Sequence, residues 1–132
     1  MKSGKKNQII NLINLAINED KVSQDITSKL SISKKLKCRM FVKSKNEGIL
    51  FGIHVVKLIL KKIDKKIKIK IFKSDGNKLK KGTIVLSLEG KAQSILKSER
   101  TILNFLGHLS GIASETNRLV KKTKTYKTKI CC

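Results

Sequence analysis

Apolar positions along this chain follow two rhythms, and the places where one gives way to the other mark out its elements. Ile9, Ile10, Ile13, Ala16 and Ile17 fall at helical spacing and predict a helix over about 7–18. Glu19 and Asp20 open a polar stretch, and Asp25-Ile-Thr-Ser28 reads as a turn or cap, because such short side chains bond nearby amides. From Lys37 to Lys43 the rhythm is two, with Cys38, Met40 and Val42 on one face. A turn at Asn46-Glu-Gly48 and a short return strand at Ile49–Phe51 follow. The period lengthens again over His54–Ile63, through Val55, Val56, Ile59, Leu60 and Ile63, which predicts a second helix.

Lys66–Lys73 is the clearest strand, with Ile67, Ile69 and Ile71 opposite Lys66, Lys68 and Lys70. Its sheet therefore has one wet, basic face. Ser74-Asp-Gly-Asn77 is a turn, and Thr83–Leu88 a further strand ended by Glu89-Gly90. Lys91–Leu109 is a long amphipathic helix striped by Ala92, Ile95, Leu96, Ile102, Leu103, Leu106 and Leu109. Ser110-Gly111 is expected to weaken or break it, with a second helical piece over about 112–122. Lys127–Cys132 looks like the start of a strand. The order implies an α+β layer: a mainly antiparallel four-stranded sheet with helices on one face.

Composition narrows the function classes. The 132 residues suit one ordinary domain. The longest run without a charged residue, Thr101–Ser114, has 14 residues, short of the ~20 that span a bilayer. Three Cys, two of them adjacent at Cys131 and Cys132, make neither a disulfide framework nor a zinc spacing. With no signal-peptide cleavage pattern, the expected location is cytoplasmic, with no membrane partner. The net charge of +22 comes from 28 Lys and only 3 Arg, spread along the chain. The five aromatics show no stacking pattern among the lysines. Such a charge suits anionic substrates, and no specific nucleic acid is expected.

Candidate chemistry is sparse. Glu99 falls inside the apolar stripe of the long helix, where a carboxylate needs a partner or an edge; a structural pair is the plainer reading. Arg100 lies at the rim of the stripe beside Gln93, Asn104 and Gly107. Its planar fork grips a carboxylate or phosphate bidentately, although an ordinary solvated Arg is the plainer reading of wheel position alone. His54 and His108 have no clustered ligands, Ser110 lacks a nucleophile elbow, and Asp75-Gly76 reads as turn chemistry rather than a metal site.

The segment Ser98-Glu-Arg-Thr-Ile-Leu-Asn-Phe-Leu-Gly-His-Leu-Ser-Gly-Ile-Ala113 resembles the signature helix of the quinolinate phosphoribosyltransferase family. Glu19-Asp20 with Asp25-Ile-Thr-Ser28, Glu47-Gly-Ile-Leu-Phe-Gly52, and Asp75-Gly76 through Lys81-Gly82 to Leu88-Glu-Gly90 resemble it in the same order. Lys21-Val-Ser-Gln24 departs from the Gly-rich loop usual there.

The resemblance implies a hammerhead-type N-terminal domain over 1–111, with 112–132 leading into an α/β barrel whose first strand is cut short. It implies transfer of a phosphoribosyl group from phosphoribosyl pyrophosphate to quinolinate, with decarboxylation to nicotinate mononucleotide for NAD synthesis. Mg²⁺ is the implied cofactor, with ligands outside this chain, and the implied assembly is a homodimer. The Arg at the position of Arg100 enters the partner subunit's site and binds a quinolinate carboxylate. No catalytic residue and no metal ligand carries over. An N-terminal fragment, inactive alone, is therefore expected.

Rival readings are a molybdenum-transport-associated relative of the same family, a basic nucleic-acid binder, and a biotinyl/lipoyl-like module suggested by Asp75–Leu86.

Overall fold

A single strand, Ile84–Lys91, organises the sheet. The structure, a computed structural model, describes residues 3–24 and 33–126. In order these form α1 (Ser3–Gln24), β1 (Lys37–Lys43), β2 (Gly48–Ile49), α2 (Ile53–Ile63), β3 (Lys68–Ile71), β4 (Lys78–Leu79), β5 (Ile84–Lys91) and α3 (Ala92–Thr123). A 3₁₀ turn, Lys124–Tyr126, closes the described chain. The predicted turn at 25–28 and strand at 127–132 lie outside the described residues.

The strand β5 pairs antiparallel with β1 on one side and β3 on the other. Its side chains explain why it is central. Leu86 sits between Val42 and Ile71, and Leu88 between Met40 and Ile69, so one face is an apolar layer. Leu86 and Leu88 are completely buried, each stabilising the fold by roughly 2 kcal/mol. The other face carries Arg39, Glu89 and Lys68 in one row and stays wet, as the alternation predicted.

The helices cover the apolar layer. The α3 stripe buries Ile95, Ile102 and Leu106, while α2 buries Val56 and Ile59 and α1 inserts Ile13. The α+β class with antiparallel pairing is as expected. The strands divide, however, into the three-stranded sheet β1–β5–β3 and a two-stranded sheet β2–β4, rather than one four-stranded sheet. The segment after Gly48 is thus no return strand to β1: it pairs with β4. The same pairing removes the carrier-type hairpin over Asp75–Leu86, because β4 and β5 belong to different sheets.

Three element boundaries differ from expectation. The first helix extends to Gln24. Glu89-Gly90 does not end β5, because both residues still pair with Arg39 and Cys38 of β1. Ser110-Gly111 does not break the last helix, which runs unbroken for 32 residues. A mid-helix Gly costs only about 1 kcal/mol, and Ser110 is held from outside the helix, as described next.

Candidate functional site

Two of the segments that carry the family resemblance, 47–52 and the 98–113 stretch of α3, meet along the second half of that helix. Ser114 Oγ donates to the Ser110 carbonyl at 2.7 Å and accepts the Ile49 N–H at 2.8 Å. One turn earlier, Ser110 Oγ accepts the Phe51 N–H at 3.1 Å and lies 3.2 Å from the Phe51 carbonyl. These two serines clip β2 and its continuation to α3. Gly48 and Gly52 permit the approach. A Cβ on Gly48 would lie 2.7 Å from Ser114 Oγ, and Gly52 combines φ +115° with Leu109 Cδ1 at 2.9 Å from its would-be Cβ.

Asp75 completes the junction. Its Oδ1 accepts the N–H groups of both Gly52 and Ile53 at 2.9 Å, capping α2 from a distant turn. That turn is fixed by Gly76 at φ 86° and by the Ser74 N–H donating to Asn77 Oδ1 at 3.0 Å. Asp75-Gly76 is therefore turn and cap chemistry, as the residues suggested. What the sequence left unassigned was the pair of serine clips. Ser at i and i+4 on an amphipathic helix was the available signal.

Between α3 and the 42–50 segment lies a groove of about 490 Å³, walled by Val42, Leu50, Leu103, Leu106, Gly107 and Ser110. Lys43 and Lys45 stand at its edge. A second hollow of about 710 Å³ shares Leu103 and Lys43 and reaches Phe41, Lys81 and Glu99. Arg100 is exposed on α3, one helical turn from Leu103. Asn104, Gly107 and Gly111 continue the same exposed side. Among the described residues a Cβ on Gly107 or Gly111 would meet nothing within 4 Å, so their packing does not require bare backbone there. The result is a track with no side chains at two points, beginning beside a guanidinium and bordered by an apolar groove with lysines at its edge.

The other candidates separate from this track. Glu99 is half-buried at the second hollow, while His54 and His108 are both exposed. Arg39 and Arg118 form surface pairs with carboxylates. Arg39 Nη2 lies 2.6 Å from Glu89 Oε2, and Arg118 pairs with Glu115 one turn away. Arg39 holds Glu89 below its usual carboxylate range, and Arg118 does the same to Glu115. Asp64 is likewise lowered, chiefly by the Ser94 hydroxyl, which donates to Oδ2 at 2.7 Å, and next by the Lys66 N–H. Among the described residues no three His, Cys, Asp or Glu come together to hold a metal ion, and no helix is long and apolar enough to cross a membrane.

Comparison with known proteins agrees with the geometry. Residues 25–110 match the family model described as quinolinate phosphoribosyl transferase, N-terminal domain. Over 124 residues the chain is 34% identical to a probable carboxylating nicotinate-nucleotide pyrophosphorylase of Bacillus subtilis, covering 94% of this chain and 43% of that protein. It is 34% identical over 109 residues to the chloroplastic enzyme of that name from Oryza sativa, covering 82% of this chain and 29% of that one. Among solved structures, the nicotinate-nucleotide pyrophosphorylase of Francisella tularensis superposes with a TM-score of 0.83 at 36% identity, covering 92% of this chain and 43% of that one. The chain thus spans less than half the length of these relatives. With the family model matched over most of its length, the chain belongs to the quinolinate phosphoribosyltransferase family, of which it carries the N-terminal domain.

Proposed function

We propose that this chain is the N-terminal part of an enzyme that transfers a phosphoribosyl group from phosphoribosyl pyrophosphate to quinolinate. Decarboxylation then gives nicotinate mononucleotide, in the cytoplasm, for NAD synthesis. Residues 1–111 act as the substrate-covering domain, and 112–132 lead toward the barrel. The observation that carries the reading is the placement of Arg100. It sits exposed on the helix that matches the family, beside a glycine-lined track. In a homodimer of the complete enzyme, Arg100 projects into the partner's site and grips one quinolinate carboxylate bidentately. A planar fork both neutralises and orients a dicarboxylate in a way Lys cannot.

The serine clips and the Asp75 cap have a positioning role in this reading. They fix α3 against β2 and α2, so that Arg100 is presented from a rigid helix. The described residues do not fit the implied Mg²⁺, since they offer no cluster of ligands, and no step on this chain runs through it. The 132-residue chain by itself is therefore expected to make no nicotinate mononucleotide. The test is to purify it alone, then with a polypeptide supplying the remaining portion of the Bacillus relative. No turnover alone and quinolinate-dependent turnover by the pair is the expected result. Turnover by the isolated chain would refute the assignment of its role.

A further inference from the structure

The outer face of the β1–β5–β3 sheet adjoins the site above only at Phe41, which also reaches the second hollow. Strand register puts Lys37, Arg39, Lys68, Lys70 and Lys91 on it, against a single carboxylate, Glu89. Arg39 already engages that carboxylate at 2.6 Å. Two aromatic rings lie on the same face. Phe41 on β1 is 48% exposed, and Phe72, just beyond β3, is 44% exposed. Lys70 Nζ stands 5.3 Å from the Phe72 ring centroid. Between the two edge strands the central residue is only Ser87, paired with Phe41 on one side and Lys70 on the other. With strands spaced about 4.8 Å apart, β1 and β3 lie roughly 10 Å from each other across this low centre.

We propose that this sheet face is a docking surface for single-stranded nucleic acid, bound without sequence preference. Exposed rings interleaved with cations supply the two things an unpaired strand offers contacts for: base faces to stack on and phosphates to neutralise. An acidic peptide would use the cations and leave both rings in water. A duplex hides its base faces. The linear sequence concealed the pattern, because Phe41 and Phe72 are far apart in the chain and share a face only through the pairing of β1 and β3 with β5. Total charge does not explain the rings, so the surface is separable by experiment from the nonspecific attraction that a net charge of +22 brings.

The test is fluorescence anisotropy of the full 132-residue chain with labelled oligouridine and oligothymidine, across a salt series. Phe41→Leu with Phe72→Leu keeps charge and apolar bulk but removes the rings. It is expected to weaken binding about tenfold or more, with Phe41→Tyr plus Phe72→Tyr restoring it. Lys68→Gln with Lys70→Gln should reduce the salt slope by about 1.4, two phosphate contacts at ~0.7 each. The matched pair Lys57→Gln with Lys61→Gln, exposed on α2, should change it much less. Thermal melting of each variant separates lost binding from lost fold. Equal losses from the sheet and α2 lysine pairs, or no loss from the folded Leu variant, would overturn the proposal. So would equal binding of a duplex, or binding only to anionic vesicles.

Discussion

One added methyl group at Gly48 should undo the clip between β2 and α3. A Cβ there would lie 2.7 Å from Ser114 Oγ, well inside contact distance. The hydroxyl must swing away and abandon the Ile49 N–H that it accepts at 2.8 Å. A part-buried donor without its acceptor, plus local overpacking, puts the cost of Gly48→Ala at about 1–3 kcal/mol. Ser114→Ala breaks the same bond directly, for about 1–2 kcal/mol. The double variant distinguishes this account from generic damage. Once Oγ is gone, the next atom met by the new Cβ is Ser114 Cβ at 3.7 Å, an ordinary contact. Gly48→Ala should then cost little more, leaving a coupling of about 1–2 kcal/mol. Urea unfolding of the parent, both single variants and the double measures it. Additive costs, within about 0.5 kcal/mol, would refute the reasoning.

Three further outcomes follow from the same geometry. Asp75→Ala should cost about 1–3 kcal/mol and speed amide exchange at Gly52 and Ile53, because both N–H groups lose their acceptor; unchanged exchange there would contradict the cap. Gly107→Ala should stabilise the chain by about 0.5–1 kcal/mol, since none of the described residues lies within 4 Å of the added Cβ. In a reconstituted enzyme the same change should impair quinolinate turnover if the bare track is used by the substrate or the partner. Asp64 gives a pH signature. Its folded pKa is depressed below the ordinary 3.8, so its stabilisation is present above that value and lost as the pH falls through it toward the lower folded value. Ser94→Ala, which removes the main cause, should therefore differ from the parent at neutral pH and converge with it in acid. A gap that persists unchanged in acid would exclude this linkage.

Periodicity made β1, β3, α2 and α3 legible because each has a clean apolar stripe of one period. It placed the wet basic sheet face correctly for the same reason. It failed where a long-range partner decides the outcome. The strand after Gly48 lies alongside β4 because Leu50 bonds the distant 74–77 turn in both directions, its N–H donating to the Asn77 carbonyl at 2.9 Å and its carbonyl accepting the Gly76 N–H at 2.8 Å. Nothing local to residues 48–51 signals that choice. Ser110-Gly111 looked like a helix break because propensity counts only the helix, while the hydrogen bonds between Ser110 and Phe51 come from another element. Arg100 was singled out by scarcity and by resemblance. The structure bears out the solvated position that the wheel suggested and adds the open space at Gly107 and Gly111 on the same side of α3.

The central claim is that Arg100 reads a quinolinate carboxylate. Its direct test is steady-state kinetics of the reconstituted enzyme with Arg100→Ala and Arg100→Lys. A bidentate, charge-assisted contact contributes about 1.5–3 kcal/mol, so kcat/KM for quinolinate should fall roughly 10–150-fold in the Ala variant. Lys should recover only part of the loss, and the KM for phosphoribosyl pyrophosphate should change little. An Arg100→Ala enzyme with the parent's quinolinate dependence would contradict the account.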